Sequence, residues 1–294
     1  MAASRTRGDT VLSQRIDPAR RLSGIDTLKS VALVVALVGI SAFVGYFLFG
    51  VVGLFLGALL VLVMGFVFWQ IPDEWVMRVY GAQRLVAGAA PELHAIVREL
   101  AANAGLPMPT VYFIPSSVPN AAATRSSHGG GALAVTAGAL NMLSTRELRA
   151  ILAHEMAHLR SRDTRILQLA GIISQVVISL IRAAVLLTFV LMLMYGEMDG
   201  MVLLQLAGMA LVIPIVVGLL QAALSRTREF AADRISIDIA HDPEGLAAAL
   251  AKLSRYQSTV RQVMTGGAPG SSILRSHPSV KARIARLEAL VHGT

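Results

Sequence analysis

A run of 41 residues without one charged side chain constrains this chain more than any other feature. Residues 31–71 contain no Asp, Glu, Lys or Arg. A bilayer core about 30 Å thick takes about 20 helical residues, so the run is about twice one span. A single buried helix of that length would extend about 61 Å, more than a small domain can cover. Three glycines lie near its middle: Gly45, Gly50 and Gly53. We therefore predict a helical hairpin with spans at about 31–49 and 52–70.

Two further apolar blocks predict a second hairpin. Residues 166–194 are interrupted only by Arg182, and residues 201–224 carry no charge. The turn between them, residues 195–200, contains two acidic residues and no basic one. The count is then four spans, which agrees with a charged fraction of 15%, below the quarter or so usual for soluble domains. Because an arginine is costly in lipid, we expect Arg182 to face protein or water.

The basic residues predict the orientation of these spans. Residues 1–30, 72–165 and 225–294 hold six, nine and ten Lys or Arg, whereas the two hairpin turns hold none. The positive-inside rule places both termini and both large polar regions in the cytoplasm. The absence of cysteine fits a reducing compartment. The basic C-terminal region lacks interleaved aromatic residues, so nucleic-acid binding is not predicted.

The predicted organisation has five parts. They are a cytoplasmic N-terminal segment (1–30), a first transmembrane hairpin (31–71), a polar subdomain (72–165), a second hairpin (166–224) and a C-terminal helical part (225–294). Within the polar subdomain, Pro91–Ala102 has the apolar spacing of an amphipathic helix. Three segments have strand composition: Thr110–Ile114, Asn120–Thr124 and Ala132–Thr136. The loop 125–131 lies between the last two.

A metal-binding motif follows on a helix with a clear start signal. Ser144-Thr-Arg-Glu147 is a capping box, so we predict that a helix begins there. His154-Glu-Met-Ala-His158 lies on that helix. Residues four apart are separated by one turn plus about 40°, so both imidazoles project from one face. Glu155 lies beside them, within reach of a water bound to a shared metal. This pattern is typical of zinc hydrolases in which the glutamate is the general base.

A catalytic zinc needs a third protein ligand and an open position. Cysteine is absent, so the ligand is a carboxylate or another histidine. Glu229 and Asp233 follow the last span and lie four apart on a predicted helix. One of them can bind the metal while the other accepts a hydrogen bond from a ligating histidine. Spacing alone leaves open that both are surface charges paired with neighbouring arginines.

These motifs together resemble the HtpX-type membrane zinc endopeptidases, gluzincin metallopeptidases related to the CAAX prenyl proteases. A hairpin of spans precedes the histidine pair, and two further spans separate that pair from the acidic motif. The segments that match the family are His154–His158, Glu229–Asp233, Asn120–Thr124, Ser276–Ser279 and Arg283-Ile284. The resemblance covers about residues 30–290.

The resemblance implies a role for each site residue. His154, His158 and Glu229 would bind one Zn²⁺, and Asp233 would support a ligating histidine. Glu155 would be the general base and then the acid to the leaving amine. A strand with Asn120, Ala121, Ala122 and Ala123 would hold the substrate extended, and His277 would stabilise the oxyanion.

The expected fold is a mainly α membrane protein with four transmembrane helices in two hairpins and a small cytoplasmic α+β zincin-like protease domain. The function that the resemblance implies is zinc-dependent hydrolysis of unfolded or damaged membrane proteins at the cytoplasmic face of a bacterial-type inner membrane, as stress-related quality control. Water activated by zinc and Glu155 would be the nucleophile. Two alternatives are a multi-span transporter and a non-catalytic scaffold, each using the histidine pair as a metal site. A transport site is expected near the bilayer midplane, and structural zinc sites are usually cysteine-rich.

Overall fold

A computed structural model describes the chain at residues 18–124, 130–161, 164–195, 200–265 and 280–292. Long helices form most of it, and a four-stranded sheet lies in the polar region. Three described helices are long and apolar enough to cross a membrane; the candidate spans lie within Val31–Phe68, Leu169–Tyr195 and Gly200–Ala240.

The first long helix, α1 (Pro18–Gln70), reverses direction at its middle. Phe49 and Gly50 leave the helical conformation, and Gly50 has φ +60°, ψ −146°. The two halves then lie side by side: Gly45 packs against the backbone of Gly53, and the Ser41 hydroxyl donates a 2.8 Å hydrogen bond to the carbonyl of Gly57. The apolar run therefore folds back at the glycines near its centre, as its length predicts.

The other two long helices are α6 (Thr164–Tyr195) and α7 (Gly200–Ala240). They pack on α1 through an apolar cluster that includes Leu37, Ile173 and Val217. Helix α7 continues without a break from its apolar part into the polar region of the sequence. The side chain of Arg182 is exposed on the outer surface of α6 rather than enclosed by the helix bundle.

The polar region between α1 and α6 alternates short helices and strands. Its elements are α2 (Asp73–Val79), β1 (Gln83–Arg84), a 3-10 turn (Ala87–Ala89), α3 (Pro91–Asn103), β2 (Thr110–Ile114), β3 (Ala121–Thr124), β4 (Ala132–Thr136), α4 (Ala137–Met142) and α5 (Thr145–Ser161). After α7 come α8 (Pro243–Thr265) and α9 (Val280–His292). The three strands predicted from composition are confirmed, with β3 beginning one residue later than predicted.

His94 on α3 is buried, although its place on an amphipathic helix suggests exposure. Its Nδ1 lies 3.0 Å from the carbonyl oxygen of Ala90.

The sheet has the order β1-β2-β4-β3, with β2 parallel to β4 and the other pairs antiparallel. Strand β3 is an edge strand of the described sheet. Helix α5 packs against β3 and buries Leu152, Met156 and Leu159 completely or nearly so. This burial fixes α5 between the sheet and helices α7 and α8, so that its histidine face meets α7.

The predicted capping box starts α5. The Ser144 amide donates a 2.7 Å hydrogen bond to Glu147 Oε2, and the Glu147 amide donates a 3.3 Å bond to the Ser144 hydroxyl. Lys252 on α8 adds a 2.8 Å ion pair to the same carboxylate. The first turn of α5 is thus both capped and joined to α8.

Candidate metal centre

Helix α5 brings the histidine pair together. His154 and His158 lie one turn apart, and their Nε2 atoms are 3.2 Å apart. The two rings meet edge to face at 86°. Their nitrogens therefore converge on one point beside the helix, as the four-residue spacing predicts.

Helix α7 adds a carboxylate to the pair. Glu229 Oε2 lies 3.4 Å from His154 Nε2, and Oε1 lies 3.8 Å from His158 Nε2. One ligand atom from each of the three side chains can be chosen so that all lie within 4.8 Å of one another. Bonds of about 2.0–2.1 Å in tetrahedral geometry put zinc ligands about 3.3 Å apart. The donor set and its spacing therefore fit a single zinc ion.

Asp233 lies one turn further along α7 and contacts the back of a histidine. Its Oδ1 is 3.1 Å from His154 Nδ1. A ring N–H that donates to a carboxylate fixes the tautomer and leaves the other nitrogen free to bind a metal. The structure therefore points Nε2 of His154 at Glu229 and Nδ1 at Asp233.

A buried arginine from α9 joins the two carboxylates. Arg283 donates to both oxygens of Asp233, at 2.8 Å from Nε and 2.6 Å from Nη2. Its Nη1 lies 2.9 Å from Glu229 Oε2. In the sequence, Arg283 stands out only as part of a segment that matches the family. Only the match to the family could indicate that Arg283 belongs to the site. Local spacing cannot do so, because Asp233 lies 50 positions earlier in the sequence.

The two histidines have opposite pKa shifts. Burial, together with the charge of His154, lowers the pKa of His158 to about 3. Burial also opposes a charge on His154, but its hydrogen bonds to Asp233 and Glu229 outweigh burial and raise its pKa to about 9. His158 is therefore neutral at physiological pH, the form that binds metals. A proton on His154 balances the two carboxylates, and a metal cation at the same place would displace it.

Glu155 lies beside the cluster with a proton affinity suited to acid–base work. Burial first, and then the charge of Glu229, raise its pKa to about 7, although the charge of His154 and a hydrogen bond from the Ala123 amide oppose the shift. A group whose pKa lies near the working pH can both take up and release a proton. Glu155 is thus placed and tuned as a general acid–base candidate.

The candidate substrate strand runs past this glutamate. The backbone of Asn120 is joined to the Thr136 side chain by bonds of 2.8 and 3.0 Å, which fixes the start of β3. Ala121 is half-buried, Ala122 is exposed, and Ala123 is buried beside Glu155. The outer edge of β3 therefore lies next to Glu155. Two other sequence features, His277 and residues 125–129 of the loop 125–131, lie outside the described residues.

Comparisons with known proteins agree with this arrangement. The model of peptidase family M48 matches residues 88–291. Proteins named "Protease HtpX homolog" match most of the chain. That of Methylibium petroleiphilum is 33% identical over 282 residues, covering 90% of this chain and 97% of the relative. That of Ralstonia pickettii is 35% identical over 280 residues, covering 88% and 95%.

The chain also resembles the crystal structure of Ste24p from S. mikatae. The TM-score is 0.53 at 20% identity, and the match covers 91% of this chain and 67% of that one. At this identity the likeness shows the fold alone. The family match and the HtpX relatives cover the histidine pair, Glu229 and Asp233. The chain therefore belongs to peptidase family M48, as a membrane metalloprotease of the HtpX type.

Proposed function

We propose that this metalloprotease is a zinc endopeptidase that cleaves unfolded or damaged membrane proteins at the cytoplasmic membrane surface, as part of quality control under stress. The observation that supports it best is the convergence of His154, His158 and Glu229 next to Glu155. The two histidines and Glu155 lie on α5, just before the apolar helix α6, and Glu229 lies on α7 just after its apolar part. A centre built this way lies where cytoplasmic segments of membrane proteins are within reach.

The metal ligands would be His154, His158 and Glu229. A zinc ion bound there would supply Lewis-acid chemistry, which polarises a carbonyl and lowers the pKa of a bound water to about 7. Asp233 orients His154 through its Nδ1, and Arg283 holds Asp233 in place. Glu155 and β3 border this cluster.

The chain's own residues perform the proton transfers. Glu155 accepts a proton from the attacking water and then donates it to the amine of the leaving chain. Its raised pKa suits both steps. His277 is proposed to stabilise the oxyanion of the tetrahedral intermediate.

Strand β3 is proposed to hold the substrate. An edge strand offers unpaired N–H and C=O groups to any extended peptide, whatever its sequence. Residues 120–123 would form this platform, with the exposed Ala122 leaving room for substrate side chains. Such backbone pairing suits an enzyme whose substrates share an unfolded state rather than a motif.

The proposed topology has four spans in two hairpins, with both termini and the active site in the cytoplasm of a bacterial cell. The reversal of α1 at Phe49 and Gly50 supports two spans in residues 31–71. The distribution of basic residues supports the orientation. We propose the same five-part organisation that the sequence predicts. In it, residues 72–165 and 225–294 together form the protease domain. The transporter and scaffold alternatives are not favoured, because the family match is to peptidases.

Cleavage of an unfolded soluble protein such as casein, by purified enzyme in detergent, tests the proposal. Wild type should cleave it, a chelator should stop cleavage, and added zinc should restore it. Glu155→Gln should abolish cleavage while zinc content, measured by elemental analysis, stays unchanged. Full activity of Glu155→Gln would contradict the assigned role of Glu155, and activity insensitive to chelation would contradict a metal mechanism.

A further inference from the structure

Helix α6 has a polar stripe on its outer surface. Gln175, Ser179 and Arg182 are all exposed. At 100° per residue these side chains lie within about 60° of one another around the helix axis. An outer surface in contact with lipid is normally apolar, and charged residues inside spans almost always face protein or water. The stripe is therefore unusual for a helix surface turned to lipid.

The stripe adjoins a groove beside the membrane end of the protease domain. A cavity of about 670 Å³ is bordered by Phe68 of α1, Val76 and Tyr80 of α2, and Gly171, Gln175 and Ser179 of α6. Arg182 lines a second depression of about 320 Å³ between α6 and α7. Both are largely apolar, so an apolar segment with a few polar groups would match them.

The position of Arg182 limits what can neutralise it. It is equidistant from the ends of the apolar part of α6, Leu169 and Tyr195, at about 20 Å of helix from each. A lipid phosphate lies outside the bilayer core, so it can reach the guanidinium only if the bilayer deforms. The sequence has no Asp or Glu at 31–71, 166–194 or 201–224. Neither this chain nor a second copy therefore supplies a carboxylate at that depth.

The groove also leads toward the proposed catalytic centre. Helix α2 forms one of its walls, and Asp73 at the start of α2 accepts a 3.4 Å hydrogen bond from Thr124 of β3. The neighbouring residue, Ala123, donates its amide to Glu155. A segment that leaves the groove at its α2 end would therefore meet the edge of β3.

From these observations we infer that the α6 groove docks a membrane-spanning helix of the substrate that presents an acidic side chain to Arg182. This inference rests on the proposed protease function and names its substrate class. In assembled membrane proteins such side chains are paired inside the bundle. A span that presents one to lipid is therefore unassembled or misfolded. Arg182 would recognise that defect, and the groove would deliver the adjoining cytoplasmic residues to β3.

The test uses enzyme reconstituted in vesicles of zwitterionic lipid and single-span model substrates with one unstructured cytoplasmic tail. Two substrates differ only at mid-span, with Asp in one and Leu in the other, and a third is the soluble tail alone. Wild type should cleave the Asp substrate about 3- to 18-fold faster than the Leu substrate, the range of single polar contacts between membrane helices. Arg182→Leu should remove this preference, and Arg182→Lys should keep it. Arg182→Glu should instead prefer a substrate with Lys at mid-span.

A second pair of variants tests the groove itself. A Cβ added at Gly171 would meet no atom of a neighbouring element within 4 Å, so Gly171→Leu should extend into the groove without disturbing the fold. It should slow cleavage of both spanning substrates and leave the soluble tail unaffected. Gly208 on α7 is equally open and does not border the groove, so Gly208→Leu is the matched control.

The outcomes separate the inference from the function on which it rests. If wild type fails to cleave the soluble tail, the proposed protease function is wrong. If all variants cleave the tail but Arg182→Leu retains the Asp preference, the docking inference is wrong. The inference is also overturned if Asp and Leu substrates are cleaved equally. A parallel reconstitution with anionic lipid gives a further check, because an effect of Arg182→Leu that appears only there would identify a lipid site and overturn the inference.

Discussion

At the scale of single residues, Arg283 determines how the carboxylates of the metal centre are held. It makes a two-pronged contact with Asp233 and a third bond to Glu229. Arg283→Lys should lower zinc affinity by about 10- to 100-fold, the usual cost of losing support for a ligating histidine, because lysine cannot form the paired contact. Competition with a chromophoric chelator measures that affinity.

Arg286 provides the control on the same helix. It is exposed and stacks on Phe230, with 4.9 Å between its guanidinium carbon and the ring centroid. Arg286→Lys should leave zinc affinity unchanged. Equal affinities of Arg283→Lys and wild type would show that Asp233 keeps its position without the arginine.

Glu147 gives the stability of α5 a defined pH dependence. Burial opposes its ionisation, but hydrogen bonds from Lys252 and Ser144 outweigh burial and lower its pKa below the usual value. A carboxyl whose pKa is lowered on folding stabilises the fold above its unfolded pKa, and this contribution is lost as pH falls through the folded pKa. Glu147→Ala should therefore reduce stability at pH 7 by about 1 kcal/mol, as loss of a cap does.

The two proteins should converge as the pH falls below the ordinary pKa of a glutamate and through the lowered pKa of Glu147. Thermal unfolding in detergent at several pH values between 7 and 3 measures this difference. A stability gap that stays constant down to pH 3 would mean that Glu147 contributes through packing rather than through its charge.

The sequence predicts which site residues lie together only where those residues are a few positions apart on one helix. The histidine pair and Glu155 follow from helical spacing, and the pairing of Glu229 with Asp233 follows in the same way. Both carboxylates contact His154, but Glu229 also lies near His158. Which of the two carboxylates takes that second position depends on how α7 crosses α5, and the spacing of residues along the sequence does not determine the crossing. Arg283 reaches the site only because α9 packs against α7. The sequence therefore identifies it as part of a family motif but does not predict its contacts with the carboxylates.

At the scale of elements, the glycines of α1 hold two helix halves in close contact. A Cβ at Gly45 would collide with the carbonyl of Gly53. Gly45→Leu should therefore destabilise the hairpin by about 3 kcal/mol, the upper part of the overpacking range. Gly39 lies on the same half with open space around its Cα, and Gly39→Leu should be neutral. Thermal melts of the two variants should differ, and equal melting temperatures would contradict the close packing.

The sequence predicted the secondary-structure elements that are long, capped or bounded by turn signals, but it did not predict the shortest elements. Strands β2, β3 and β4 have β-branched or small residues between turn signals, and α5 has its capping box. Helices α2 and α4 and strand β1 are too short to show a period. The continuation of α7 to Ala240 was not predicted, because hydropathy changes near residue 224 while nothing there stops a helix. No glycine or proline occurs between Gly218 and Pro243.

At the scale of the whole molecule, the proposed orientation places both termini on the same side of the membrane as the metal centre. A reporter that is active only in the cytoplasm should work when fused after Thr294, and a reporter that is active only outside it should not. When the reporters are inserted in the turn 196–199, the pattern should reverse. A C-terminal fusion active outside the cytoplasm would contradict the proposed orientation, whatever the activity of the enzyme.

The central claim is that residues from α5 and α7, separated in sequence by a hairpin of apolar helices, hold one zinc ion. Elemental analysis of purified protein tests it most directly. Wild type and Glu155→Gln should each contain one zinc per chain, whereas His154→Ala, His158→Ala and Glu229→Ala should each lose most of it. Full zinc occupancy in Glu229→Ala, with the metal lost only from the histidine variants, would contradict the three-residue site.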